Sequence, residues 1–240
     1  MAGAMTHLYV GLKTVNNKLT SKERLLYIFG GAFPDLEFLI EPTDYDNHKN
    51  TKKLAAFILK EGGESYKNFV KGMKAHVLVD DIIHGAFMKN HIAKLKHYGL
   101  GDKILHSMIE AALDILLAEK LPLVKRYTRI KRKRFEEIGF GRALELLCKY
   151  HKKKPRFIKK LKKDCYKMLK LGLIDKWSKA LKLWLILRKY PRYRGGKKRE
   201  EVTVKKLFRA FDGAMKLLKP EADAIADRLV TKVEKSIKWN

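Results

Sequence analysis

Apolar residues recur at intervals of three and four along most of the chain, the period of an amphipathic helix, and strand-like alternation is hard to find. The pattern predicts helices over residues 21–30, 50–60, 64–90, 101–120, 135–150, 155–172, 174–189, 202–218 and 220–237. Breaks fall where turn chemistry sits: at Gly30-Gly31 with Pro34, from Pro42 to Asn47, at Gly62-Gly63, from Tyr98 to Gly101, at Pro122 and at Pro155. Asp102 is placed to cap the helix that follows it, and Pro220 with Glu221 suits a first helical turn. The stretch from Tyr190 to Arg199 reads as a connector. The expectation is an all-α protein with no internal repeat.

Length and composition then narrow the class. The 240 residues suffice for one large domain or two small ones, and 46% hydrophobic content argues against disorder. Two cysteines, Cys148 and Cys165, make no disulfide framework, which favours a reducing, cytoplasmic home. No run of 18 apolar residues is present, so any membrane contact is expected to be peripheral.

Charge divides the chain. Residues 1–120 hold 16 basic and 14 acidic side chains, whereas residues 121–240 hold 38 and 12. A metal-binding helical core over 1–120 and a basic helical region over 121–240, packed on the first, is the expected organisation. So cationic a half attracts phosphates, on a substrate, an anionic lipid surface or a nucleic acid. Tyr127, Phe135, Tyr150, Phe157, Tyr166, Trp177, Trp184, Tyr190 and Tyr193 lie among these cations. They suit base stacking or lipid anchoring, but Trp177 and Trp184, seven residues apart, also read as core.

The chemistry concentrates in the other half. Seven of the eight histidines lie within the first 106 residues. His76, Asp80 and His84 follow one another at i, i+4, each about 6 Å along a helix and about 40° around it from the last. His106 and Glu110 repeat the pairing, and Asp114 extends it by a turn. Such pairs are often surface ion pairs. Here Val77, Leu78, Val79, Ile82 and Ile83 surround the first set, and Ile104, Leu105, Met108, Ile109 and Leu113 the second, so both stripes are expected to be buried or to line a cleft. Imidazole nitrogen and carboxylate oxygen are donors that zinc accepts without thiolates. Asp35 after Pro34, His48 in a turn-rich stretch and His7 near the start complete a set of eight: His7, Asp35, His48, His76, Asp80, His84, His106 and Glu110. His91 and His97 sit in a Lys-rich stretch that reads as solvated, and Asp44, Asp46, Asp81 and Asp114 are candidates for orienting imidazoles.

The order His, Pro-Asp, His, His-x-x-x-Asp, His, His-x-x-x-Glu resembles the zinc-dependent phospholipase C family, whose all-helical fold and three-zinc cluster are shared by fungal single-strand nucleases. The resemblance covers about residues 1–115; the interval from Asp80 to His84 is shorter than in the secreted enzymes and that from His84 to His106 longer. It implies two or three zinc ions. Asp35, His48, His76 and Asp80 would hold one, Asp80 would bridge to a second that His7 also binds, and His84, His106 and Glu110 would hold the third. It also implies Asp35 as the catalytic carboxylate beside the attacking water. The expected function is zinc-dependent phosphodiester hydrolysis, with a single-strand nuclease or a non-catalytic polyanion binder with structural metal as alternatives.

Overall fold

A computed structural model describes residues 4–37, 48–120, 136–154, 156–163 and 204–239. Helices α1 (Ala4–Thr14), α2 (Ser21–Ala32), α3 (Pro34–Glu37), α4 (His48–Gly62), α5 (Lys67–Ile82), α6 (Met88–Leu95) and α7 (Asp102–Glu119) form the first part. They are followed by α8 (Phe140–Tyr150), α9 (residues 156–163), α10 (Val204–Leu218) and α11 (Ala222–Ser236). No strand occurs among the described residues, and the architecture is that of an all-α single domain.

Local chemistry accounts for several boundaries. Thr20 and Glu23 form a capping box at the start of α2: the Glu23 amide donates to Thr20 Oγ1 at 3.3 Å, and the Thr20 amide donates to Glu23 Oε2 at 2.9 Å. Gly99, with φ of 61°, ends the short 3₁₀ turn before α7 in the left-handed conformation. The expected cap of α7 is corrected. Gly101 occupies that position without a side-chain hydrogen bond, and Asp102 is the first helical residue, 3.7 Å from Lys96. Its negative charge still suits the helix amino end.

Two further expectations change. The pattern over 64–90 resolves into a 3₁₀ turn at Glu64–Tyr66, α5, a π-helical segment at Ile83–Phe87 and the start of α6. The break is backbone in origin: Gly85 has ψ of −138°, and hydrophobic period alone does not report such a kink. Helix α1 is absent from the sequence-based set. Its first turn is capped from α7, where Asp114 accepts from the Thr6 amide and from Thr6 Oγ1 at 2.8 Å each, and from the Met5 amide at 3.4 Å.

The core is built on the crossing of α2 and α5, and glycine sets its closeness. A Cβ at Gly30 would lie 2.1 Å from the Phe69 carbonyl oxygen, and one at Gly72 would lie 2.0 Å from that of Tyr27. Neither helix tolerates a side chain there. Helix α7 packs on α1, α10 packs on α7 and α6, and α11 packs on α1 and α5. Leu207, Ala210, Phe211, Ala214 and Leu218 of α10, with Leu229 and Val233 of α11, bury helical stripes in the same core as residues 4–120. Trp239 sets its ring edge on Tyr27 at 4.8 Å, and Lys71 lies over the Trp239 ring at 5.1 Å. Residues 204–239 therefore share the core of the amino-terminal helices.

The expected helix over 174–189, most of 155–172, the connector from Tyr190 to Arg199, and Trp177 and Trp184 lie outside the described residues. None of the described helices is long and apolar enough to cross a membrane.

Candidate metal centre

Seven of the eight expected donors are described, and they fall into two adjoining groups; the side chain of His48, at the start of α4, lies outside the described residues. Helix α5 supplies His76 and Asp80 one turn apart on its buried side, and α1 brings His7 against them. Asp80 sits between two imidazoles, with Oδ1 3.3 Å from His7 Nε2 and Oδ2 3.2 Å from His76 Nε2. The two rings stack with centroids 3.8 Å apart and planes 20° from parallel. Asp35, carried on the short helix α3, places Oδ1 3.8 Å from His76 Nε2.

Backbone placement fixes one imidazole. The close crossing of α2 and α5 presents the Gly31 carbonyl to His76 Nδ1 at 2.8 Å. An Nδ1–H donated to that oxygen aims the Nε2 lone pair at Asp80 and Asp35, the arrangement that orients metal-binding imidazoles elsewhere. Asp114 acts less directly. It pins the first turn of α1, and so fixes where His7 projects.

Electrostatics in this buried group are strongly coupled. Burial and the neighbouring His76 hold His7 down to about 4. Burial also opposes a charge on His76, but the Asp80 and Asp35 carboxylates outweigh it and raise that imidazole to about 9. Asp80 is held well below the usual carboxylate range because its imidazole partners overcome the cost of burial. Asp35 is raised to about 7, chiefly by burial, with Asp80 and Glu110 adding repulsion against the pull of His76. Even so, His7 Nδ1 and Asp35 Oδ1 are buried without a hydrogen bond, an arrangement that costs free energy unless something else engages them.

The second group spans α7 and the π-helical segment. Glu110 Oε1 receives both His106 Nε2 at 2.8 Å and His84 Nε2 at 3.1 Å, and the two rings lie 5.0 Å apart at 50°. Burial would raise Glu110, but the hydrogen bonds from His106 and His84 help bring it down to about 2. His84 is the second residue of the wider π turn, a device found frequently at functional sites, so the break at Gly85 bears directly on the donor set. The side chains are 24% exposed at His84, 20% at His106 and 14% at Glu110.

One donor atom from each of His7, His76 and Asp80 lies within 4.8 Å of the others, and the same holds for His84, His106 and Glu110; Asp35 adjoins the first trio. Tetrahedral zinc with nitrogen and oxygen ligands at 2.0–2.1 Å separates its ligand atoms by about 3.3 Å. The distances of 2.8 to 3.3 Å within the groups are close to that edge length. Donor chemistry, spacing and the orphaned buried atoms all fit a divalent ion.

Among the other candidates, His91 corrects the solvated reading. It is buried, with Nδ1 2.7 Å from the Phe87 carbonyl and Nε2 3.2 Å from Glu221 Oε2, because α11 begins against α6. His97 and Asp81 are exposed, and Asp44 and Asp46 lie outside the described residues. The sequence reading lacked the Gly31 carbonyl and the tertiary cap from Asp114. Only the second left a trace, as an acidic residue one turn beyond Glu110 on an apolar helix. Comparison of the chain with protein-family models, with curated proteins and with solved structures finds no match.

Proposed function

We propose that this protein is a divalent-metal-dependent phosphodiester hydrolase of the phospholipase C type, with zinc as the ion that best suits its donors. The carrying observation is the buried arrangement of Asp80 between His7 and His76, with Asp35 Oδ1 and His7 Nδ1 unsatisfied beside it. His7, His76 and Asp80, with Asp35 adjoining, would hold ions in the buried group, and His84, His106 and Glu110 would hold one in the outer group. Zinc bound by such ligands lowers the pKa of water to about 7 and withdraws charge from a phosphoryl oxygen.

The side chains supply the rest. Asp80 offers a separate oxygen to each imidazole and so keeps the two nitrogens on a common carboxylate. His76 is held by Gly31 and by its stack on His7. Asp35 Oδ1, buried and without a hydrogen bond, is placed to take a proton from water as a general base. Partial exposure of the outer group favours an open, catalytic position over a closed structural site, which supports a hydrolase rather than a polyanion binder with structural metal.

The test is metal analysis of the purified protein beside hydrolysis of bis(p-nitrophenyl) phosphate. Two or more ions per chain are expected, with hydrolysis lost in His76→Ala and Asp80→Asn. Fewer than one ion per chain after zinc loading, or hydrolysis indifferent to both substitutions, would overturn the reading.

A further inference from the structure

Residues 152–163 carry eight cationic side chains and no acidic one. Lys162 is engaged, 3.3 Å from Glu136 and 3.6 Å from Glu145, and Lys153 is half-buried beside Cys148. The other six, Lys152, Lys154, Arg156, Lys159, Lys160 and Lys163, are exposed and form no ion pair among the described residues. Helix α9 separates its faces cleanly. Leu161 is buried and Phe157 and Ile158 half-buried against the core, while Arg156, Lys159, Lys160 and Lys163 recur at three and four spacing on the outer side.

Helix α11 offers a contrast. It mixes Asp223, Asp227 and Glu234 with Arg228, Lys232 and Lys235, so its charges compensate. The α9 face compensates nothing within itself. Lys152 adds a second sign: with φ of 52° it occupies the left-handed position after α8 where glycine is the ordinary occupant.

Packing on α4 fixes where this face begins. Helices α5 and α8 both pack on α4, with the Tyr66 hydroxyl donating to the Gly139 carbonyl at 2.7 Å and Tyr150 5.4 Å from Phe57. The carboxyl end of α8, leading into Lys152 and Lys154, meets the carboxyl-terminal half of α4, where Lys149 pairs with Glu61.

We propose that the outer face of residues 152–163 binds the phosphodiester backbone of a nucleic-acid strand. Its exposed side chains are cations alone, matched to a repeating line of phosphates. A helix that docks on a membrane surface needs an apolar face to enter the lipid, and the apolar face of α9 is already packed on the core. The inference stands apart from the metal reading, since the face needs no ion to bind phosphates.

The test uses the full chain, a fluorescein-labelled 20-nucleotide deoxythymidine strand and its duplex with deoxyadenosine, followed by anisotropy over a series of salt concentrations. Replacing Arg156, Lys159, Lys160 and Lys163 by Gln should weaken binding at least tenfold and reduce the slope of log affinity against log salt by about 3. Replacing four exposed cations of α10, Lys205, Lys206, Arg209 and Lys216, by Gln should weaken it less than threefold. Circular dichroism checks folding, and Lys159→Gln with Lys160→Gln gives the same ordering should the quadruple variant unfold. Equal losses from α9 and α10, absence of strand binding, or binding only to vesicles of phosphatidylcholine with phosphatidylserine would each overturn the proposal. Hydrolysis of bis(p-nitrophenyl) phosphate should persist in the α9 variant. Lost strand binding in the parent with intact hydrolysis removes this face alone, and the reverse result removes the metal reading alone.

Discussion

The two donor groups use the same residue types and differ in what surrounds them. His7, His76 and Asp80 are buried, stacked and tied to the α2–α5 crossing, whereas His84, His106 and Glu110 stand at the edge of the helical body, two of them on α7 and one on a π turn. Fold and donor set are therefore inseparable in the first group and separable in the second. Substitutions should divide accordingly.

The largest effect is expected from Asp80→Ala, which strips His76 of its principal counter-charge inside the core. Loss of one partner of a buried pair costs on the order of 3 to 5 kcal/mol. Urea unfolding of the metal-free variant should show that loss, and metal analysis should show depletion of the buried group. A variant as stable as its parent would mean that the two groups do not differ as described.

Next in size is a pH effect on chelator-treated protein. His76 titrates near 9 when folded and near 6.5 when unfolded, so the folded chain binds the extra proton between those values. Its stabilisation is complete below about pH 6.5 and disappears as pH rises through 9, with an upper bound on the order of 3 kcal/mol. Asp35, raised to about 7, adds the same sign at lower pH and has finished by about 7. Between pH 7 and 9 the melting temperature should fall, zinc should oppose the fall, and His76→Gln should flatten it. A melting temperature that rises over this interval would contradict the assigned environment of His76.

Glu110→Ala should behave differently from Asp80→Ala. Its partners are partly solvated, so the expected stability loss is about 1 to 2 kcal/mol. One bound ion should disappear, and diester hydrolysis should fall at least a hundredfold. Unfolding comparable to that of Asp80→Ala would erase the contrast between the groups. The smallest effect is assigned to Thr6→Val, which removes the hydroxyl donor to Asp114 but leaves the amide donor in place. About 1 kcal/mol of stability should go. Zinc affinity should weaken several-fold in the buried group only, as read by competition with a chromogenic chelator.

What was legible in the sequence follows the range of the interactions that create each feature. The stripe from His76 to His84 and the pair His106 and Glu110 are local in sequence, and helical period predicts their shared faces. Thr20 with Glu23 declares the start of α2 within four residues. Helix α1 has no such local mark, because its cap, Asp114, arrives from more than a hundred residues away. The π segment leaves no periodic trace, and His91 looked solvated among lysines until Glu221 was brought to it. Convergence of His7 and Asp35 on α5 belongs to tertiary packing, so sequence order suggested it only through resemblance to a family.

One consequence of the α2–α5 crossing concerns how finely the imidazole at position 76 is tuned. Its partner carbonyl belongs to Gly31, next to Gly30, and approaches only because Gly30 and Gly72 both lack a methyl group. A single carbon added at position 72 would wedge the helices apart and withdraw that oxygen from the ring. The proton on His76 Nδ1 is thus governed from a distance by two hydrogens standing where side chains would otherwise begin.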